Sequence, residues 1–133
     1  MEESTQVRIL AVDDDESALY LIRRMLEKIG HTVTPAQDAE EALQCLNHES
    51  QTIDLVITDI VMPDIDGWEL ARRIKELDPL MPIVAFTGLG PEDILPNLHV
   101  NGISHAIFKP VTVDQLKVAI NDVLELKRRQ MKS

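Results

Sequence analysis

A chain of 133 residues fits one ordinary domain, and an apolar fraction of 44% supplies a core without disulfides or a structural metal. Thirteen Lys and Arg against 23 Asp and Glu leave a formal net charge of −10, which excludes a general nucleic-acid binder because phosphate contacts need a basic face. The lone Cys45 permits no intrachain disulfide, no apolar run reaches the roughly 18 residues of a membrane span, and the acidic start is unlike a signal peptide, so the expectation is a cytoplasmic protein without a membrane partner.

In chain order, a polar tail over 1–6 leads into an apolar run at 9–12, read as a buried strand. Residues 16–30 carry Leu19, Ile22, Leu26 and Ile29 at helical spacing, with Gly30 where a helix stops. Residues 32–34 alternate, which suits an edge strand. A helix follows over 38–47, where Cys45 reads as a small apolar residue rather than a nucleophile. Residues 55–57 form the third strand, and Asp66 three before Glu69 predicts a capping box for a helix over 68–77. Residues 83–86 form the fourth strand. The fourth helix, between Pro91 and His99, contains Pro96 and is expected to be short, kinked or displaced, since an internal proline costs about 3 kcal/mol. A fifth buried strand spans 106–108. The last helix starts after Thr112 and runs through Leu116, Ile120 and Val123 to about Lys127, leaving a basic tail over 128–133. Met25, Met62 and Met81 read as core filler, and His99 and His105 lack a third ligand.

Strand–helix alternation repeated five times predicts a parallel sheet with right-handed crossovers and helices on both faces. In such sheets the working site lies beyond the carboxyl ends of the strands. There the sequence places Asp13-Asp14-Asp15-Glu16, Asp59, Thr87-Gly88 and Lys109-Pro110. Two carboxylates about 5 Å apart repel by roughly 3 kcal/mol at an effective dielectric near 20, so gathering Asp13, Asp14 and Asp59 calls for a hard cation such as Mg²⁺. A mere helix cap at 13–16 would leave Thr87 and Lys109 unexplained; Asp15 and Glu16 suit that capping role.

These residues in register resemble the receiver domain of two-component response regulators over 7–127, with Asp13-Asp14, Asp59 in Thr-Asp-Ile-Val-Met-Pro, Asp66-Gly67, Thr87 and the cis-prone Lys109-Pro110. The resemblance implies a doubly wound (βα)5 fold of flavodoxin-like strand order 2-1-3-4-5. It implies Asp59 as phosphate acceptor from the phosphohistidine of a sensor histidine kinase or phosphotransfer protein. Asp14, Asp59 and the Val61 carbonyl would ligate Mg²⁺, with Asp13 acting through water. Thr87 and Lys109 would each contact a phosphoryl oxygen. The domain would act as a signalling phosphoacceptor rather than a turnover enzyme, switching a partner-binding surface and dimerising on phosphorylation.

The alternative is a haloacid-dehalogenase-like phosphatase with Asp13 as nucleophile, for which the late acids are only Asp114 and Asp122. A flavin-binding reading fails on four consecutive acids where a phosphate loop is needed. Three departures from the receiver pattern stand out, the first being Pro96 within the fourth helix. Ala106 occupies the usual aromatic switch position, with Phe108 sharing its strand parity. Apolar Val61 and Leu89 stand two residues after Asp59 and Thr87.

Overall fold

The computed structural model describes residues 6–49 and 52–132. Among them, five strands form one parallel sheet: β1 (Arg8–Val12), β2 (Thr32–Ala36), β3 (Leu55–Thr58), β4 (Ile83–Thr87) and β5 (His105–Phe108), in the order β2-β1-β3-β4-β5. The helices are α1 (Glu16–Ile29), α2 (Ala39–Glu49), α3 (Gly67–Leu77), α4 (Pro91–Ile94) and α5 (Val113–Lys132).

The strands lack polar alternation because both faces are covered. Leu10, Val12, Val56, Ile83 and Ala85 pack under α2, α3 and α4. Ile9, Ala11, Leu55, Ile57 and Val84 point the other way, onto Leu19, Ile22 and Leu26 of α1 and Leu116, Ile120 and Val123 of α5. Met62 and Met81 lie in the first core, and Met25 packs partly against the second. The sheet therefore holds its own carboxyl edge rigid between two cores, and loops are free to carry chemistry there.

Local chemistry sets the helix ends. Asp15 caps α1 by accepting the Ser17 N–H at 2.9 Å. Asp66 caps α3 through the Glu69 N–H at 3.0 Å, but the Glu69 side chain turns to Arg72 and Arg73 instead of closing the box. A reciprocal box does form at α5, where Thr112 and Gln115 exchange side-chain-to-backbone bonds of 3.1 and 3.0 Å.

Three expectations need correction. β5 is not buried on both faces: it is the second edge strand, and only Ile107 is buried in it. α5 does not stop near Lys127 but continues to Lys132. No Gly or Pro interrupts it, and Glu125 pairs with Arg128 and Arg129 one turn on, at 3.2 and 3.5 Å. Residues 128–132 thus belong to the helix, while Ser133 and residues 1–5 of the expected N-terminal tail lie outside the described residues. The fourth helix is short as Pro96 required: one turn of α-helix gives way to 3₁₀ turns at Leu95–Asn97 and His99–Asn101.

The buried polar side chain of His31 was not singled out by the sequence. α1 ends in a Schellman motif, with Gly30 at φ 116° and the His31 N–H donating to Leu26 O at 3.1 Å. This turns His31 inward, where it is 7% exposed and its Nδ1 accepts the Val7 N–H at 3.3 Å. Burial pushes the imidazole pKa below its ordinary value. A base whose folded pKa is depressed stabilises the fold above its unfolded pKa and loses that contribution as pH falls, so His31 erodes stability below about pH 6.5. His31→Gln, which retains an acceptor, should flatten the melting-temperature-against-pH curve between pH 7 and 5; an unchanged slope would exclude His31 as its source.

Candidate functional site

Backbone pairing continues one residue past the strands and sets the acids side by side. The Asp13 N–H donates to Ala36 O at 3.1 Å, and the Asp59 N–H to Val12 O at 2.9 Å. Asp13, Asp14 and Asp59 each bring one carboxylate oxygen within 4.8 Å of the others. Asp13 is buried, Asp59 is half-buried and Asp14 faces solvent. Asp15 and Glu16 stay outside the group, Asp15 as a cap and Glu16 accepting from Gln37 Nε2 at 3.2 Å.

Lys109 reaches this cluster from beyond β5. Its Nζ lies 3.2 Å from Asp13 Oδ2 and 5.1 Å from the centre of the Phe86 ring. The Asp13 side chain is only 4% exposed, so removing Lys109 would strand a buried carboxylate rather than break a surface pair. Asp13 Oδ1 is also occupied, by the Asp15 N–H at 2.9 Å. The resemblance implies that Lys109 contacts a phosphoryl oxygen once Asp59 is phosphorylated; here its Nζ rests on Asp13.

Asp59 has its pKa raised, chiefly by burial. Lys109 opposes that shift, Asp13 adds to it, and the Ile60 and Val61 N–H groups pull it back; the Ile60 N–H lies 2.8 Å from Oδ1. The surroundings thus disfavour the ionised carboxylate, an imbalance that a cation would reverse. Three hard oxygen donors of graded exposure fit Mg²⁺ in donor chemistry.

Thr87 closes β4 fully buried, and its Oγ1 accepts the Leu89 N–H at 3.1 Å. Its carbonyl accepts the Lys109 N–H at 2.8 Å, which fastens the two strand ends together, and the Lys109–Pro110 bond that follows is cis. Phe108 pairs with Thr87 in register and Ala106 with Ala85. Both β5 residues are partly buried against the core under α2, α3 and α4, so the aromatic beside Thr87 is Phe108. Val61 and Leu89 stand 60% and 37% exposed in the loops that follow Asp59 and Thr87.

After Asp59 the chain turns back hard. The Gly67 N–H donates to Ile60 O at 2.8 Å, and a Cβ at Gly67 would lie 2.3 Å from Asp59 O, so only glycine fits where α3 begins. Sequence reasoning missed the Phe86 ring under Lys109 and the Thr58 hydroxyl donating to Asp59 O at 2.8 Å. The first depends on how the ends of β4 and β5 meet, which a single sequence does not display; the second is a bond between chain neighbours. Asp114 and Asp122 lie on α5, lining a groove with β5 and apart from the three clustered acids, so a phosphatase acid pair is not assembled among the described residues.

A doubly wound sheet with three acids, a buried threonine and a lysine at its carboxyl edge is the arrangement of a receiver-type signalling domain. Residues 9–121 match the model of the response regulator receiver domain, and the chain belongs to that family. It is 36% identical over 117 residues to the transcriptional regulatory protein GlrR of Escherichia coli, covering 88% of this chain and 26% of that protein. It is also 36% identical over 123 residues to the virulence sensor protein BvgS of Bordetella bronchiseptica, covering 87% and 10%. The chain thus spans about a quarter or less of these relatives. Among solved structures, a receiver domain protein from Clostridium thermocellum matches with TM-score 0.86 and 33% identity, covering 93% of this chain and 98% of that one. A CheY-like receiver domain protein from Methanospirillum hungatei matches at 0.85 and 30%, covering 95% and 99%. The haloacid-dehalogenase alternative is not favoured.

Proposed function

We propose that this domain takes a phosphoryl group onto Asp59 from the phosphohistidine of a sensor histidine kinase or phosphotransfer protein. The observation that supports this most is the convergence of Asp13, Asp14 and Asp59 with Lys109 at one sheet edge. In the transfer an Asp59 carboxylate oxygen forms the new O–P bond as the N–P bond of the donor breaks, and the imidazole leaves with its electron pair. Asp14, Asp59 and the Val61 carbonyl would hold Mg²⁺, with Asp13 acting through water, and the bound ion would supply charge neutralisation for the transfer. Lys109 turns from Asp13 toward a phosphoryl oxygen. The Thr87 hydroxyl, which already accepts the Leu89 N–H, directs its own proton to another. Phe86 keeps the ammonium near the site during that exchange.

On this reading the chain is no turnover enzyme and catalyses only its own phosphorylation and dephosphorylation. It acts in the cytoplasm, on a protein target, with dimerisation on phosphorylation as one output. Incubation with acetyl phosphate and Mg²⁺ should add one labile phosphate by intact mass; no addition at any donor concentration would end the reading.

The metal assignment has its own test. Binding to the native state alone adds RT ln(1 + [L]/Kd), about 1.4 kcal/mol at roughly ten times Kd, so Mg²⁺ should raise the melting temperature. Asp14→Ala should lose that rise. Its persistence would remove Asp14 from the metal site.

A further inference from the structure

From Pro91 to Asn101 the backbone is helical in outline yet poorly hydrogen-bonded. Pro96 has no N–H to donate, and the 3₁₀ turns bond only three residues back, as from Leu98 to Leu95 at 3.4 Å and from Asn101 to Leu98 at 3.1 Å. Two side chains make the four-residue links that an α-helical backbone would have made. Asn97 Nδ2 donates to Asp93 O at 3.1 Å, and Asn101 Nδ2 donates to Asn97 O at 2.8 Å. The end of this ladder is fastened to α3, where Asn101 Oδ1 accepts from Arg72 Nη1 while Arg72 Nη2 holds Glu69 at 2.5 Å. Beside it the Lys75 stem covers Gly102, where a Cβ would lie 2.7 Å from Lys75 Cγ.

The opposite end of α3 is Gly67, in contact with the backbone of Asp59 and Ile60 and too close for a side chain between them. One helix thus touches the acceptor at its first residue and grips the broken fourth helix a turn and a half later. A backbone shift at Asp59 has no compressible layer to absorb it before α3.

We propose that α3 couples the acceptor to the segment 91–103, with Arg72 as the positioning residue: latched on Asn101 at rest, it releases the segment when a change at Asp59 displaces the start of α3. This rests on the phosphoacceptor reading and gives a route that does not pass through Ala106. The two states are the latched one described above and a released one in which the asparagine ladder has lost its anchor.

Amide hydrogen exchange over 91–103 tests this, with phosphate content measured by intact mass on the same samples of wild type, Arg72→Ala and Arg72→Lys. Loss of one anchoring hydrogen bond changes local opening about fivefold, so unphosphorylated Arg72→Ala should exchange about that much faster than wild type over 91–103, with α1 and β1 unchanged. On phosphorylation wild type should rise toward the Arg72→Ala rate, Arg72→Ala should not rise further, and Arg72→Lys, which retains one donor, should respond in part. An equal phosphorylation-dependent rise in wild type and Arg72→Ala overturns the latch, as does a phosphorylated wild type whose exchange over 91–103 stays at the resting rate. If no sample carries phosphate, the phosphoacceptor reading fails. The latch is then judged on the resting proteins, where equal exchange in wild type and Arg72→Ala overturns it.

Discussion

Asp59→Asn should abolish labelling by acetyl phosphate outright, while Asp13→Asn should slow it and leave the final stoichiometry at one phosphate. The two acids differ in what already occupies them. Asp13 has both carboxylate oxygens engaged, by Lys109 and by the Asp15 N–H, and is buried. Asp59 has one oxygen on the Ile60 N–H, and burial disfavours its charge. A nucleophile must present an oxygen to an incoming phosphorus in line with the leaving group, and on the proposed function it is Asp59, less engaged than Asp13, that does so. The Asn side chain keeps the size and the acceptor oxygen but forms no acyl phosphate, so loss of label separates chemistry from folding. Retention of label by Asp59→Asn together with its loss in Asp13→Asn would install Asp13 as nucleophile and revive the phosphatase alternative.

Val61→Asn combined with Leu89→Glu should speed loss of the bound phosphate by several-fold to about tenfold, the equivalent of one or two positioned hydrogen bonds to water. Hydrolysis needs a water in line with the acyl oxygen of Asp59. The side chains two residues after Asp59 and Thr87 are Val61 and Leu89, exposed and apolar, which cannot hold one. The wild-type phosphate should therefore be long-lived, suiting a signal that outlasts its stimulus. Decay measured by intact mass after removal of the donor reads this directly. Unchanged or slower loss in both Val61→Asn and the double variant would mean that water enters freely past the broken fourth helix.

Much of this was legible in the chain. Central strands reveal themselves when both faces are buried, because no polar alternation is needed; β1, β3 and β4 follow that rule. β5 obeys the same local pattern yet lies at an edge, since three apolar residues do not say how many neighbours they have. Pro96 announced the short fourth helix, whereas three basic residues misplaced the end of α5: charge suited to a C-terminus also suits a surface turn paired to Glu125. At the site, the fold rule brought Asp13, Asp14 and Asp59 to one place. It could not reveal that Lys109 rests on Asp13 and Phe86, or that His31 is turned inward by the Schellman turn. Those contacts arise from how distant segments meet, and no local pattern encodes them.

The Asp13–Lys109 pair closes a loop of 96 residues between strands that are not neighbours in the sheet. Contacts of such separation form late, after the entropy of ordering the intervening chain has been met. β3 and β4 must already stand between β1 and β5 before lysine and carboxylate can meet. A nascent or partly unfolded chain therefore carries Asp13 and Asp59 without Lys109 beside them. On the proposed function, competence to receive a phosphoryl group would then be a property of the finished fold.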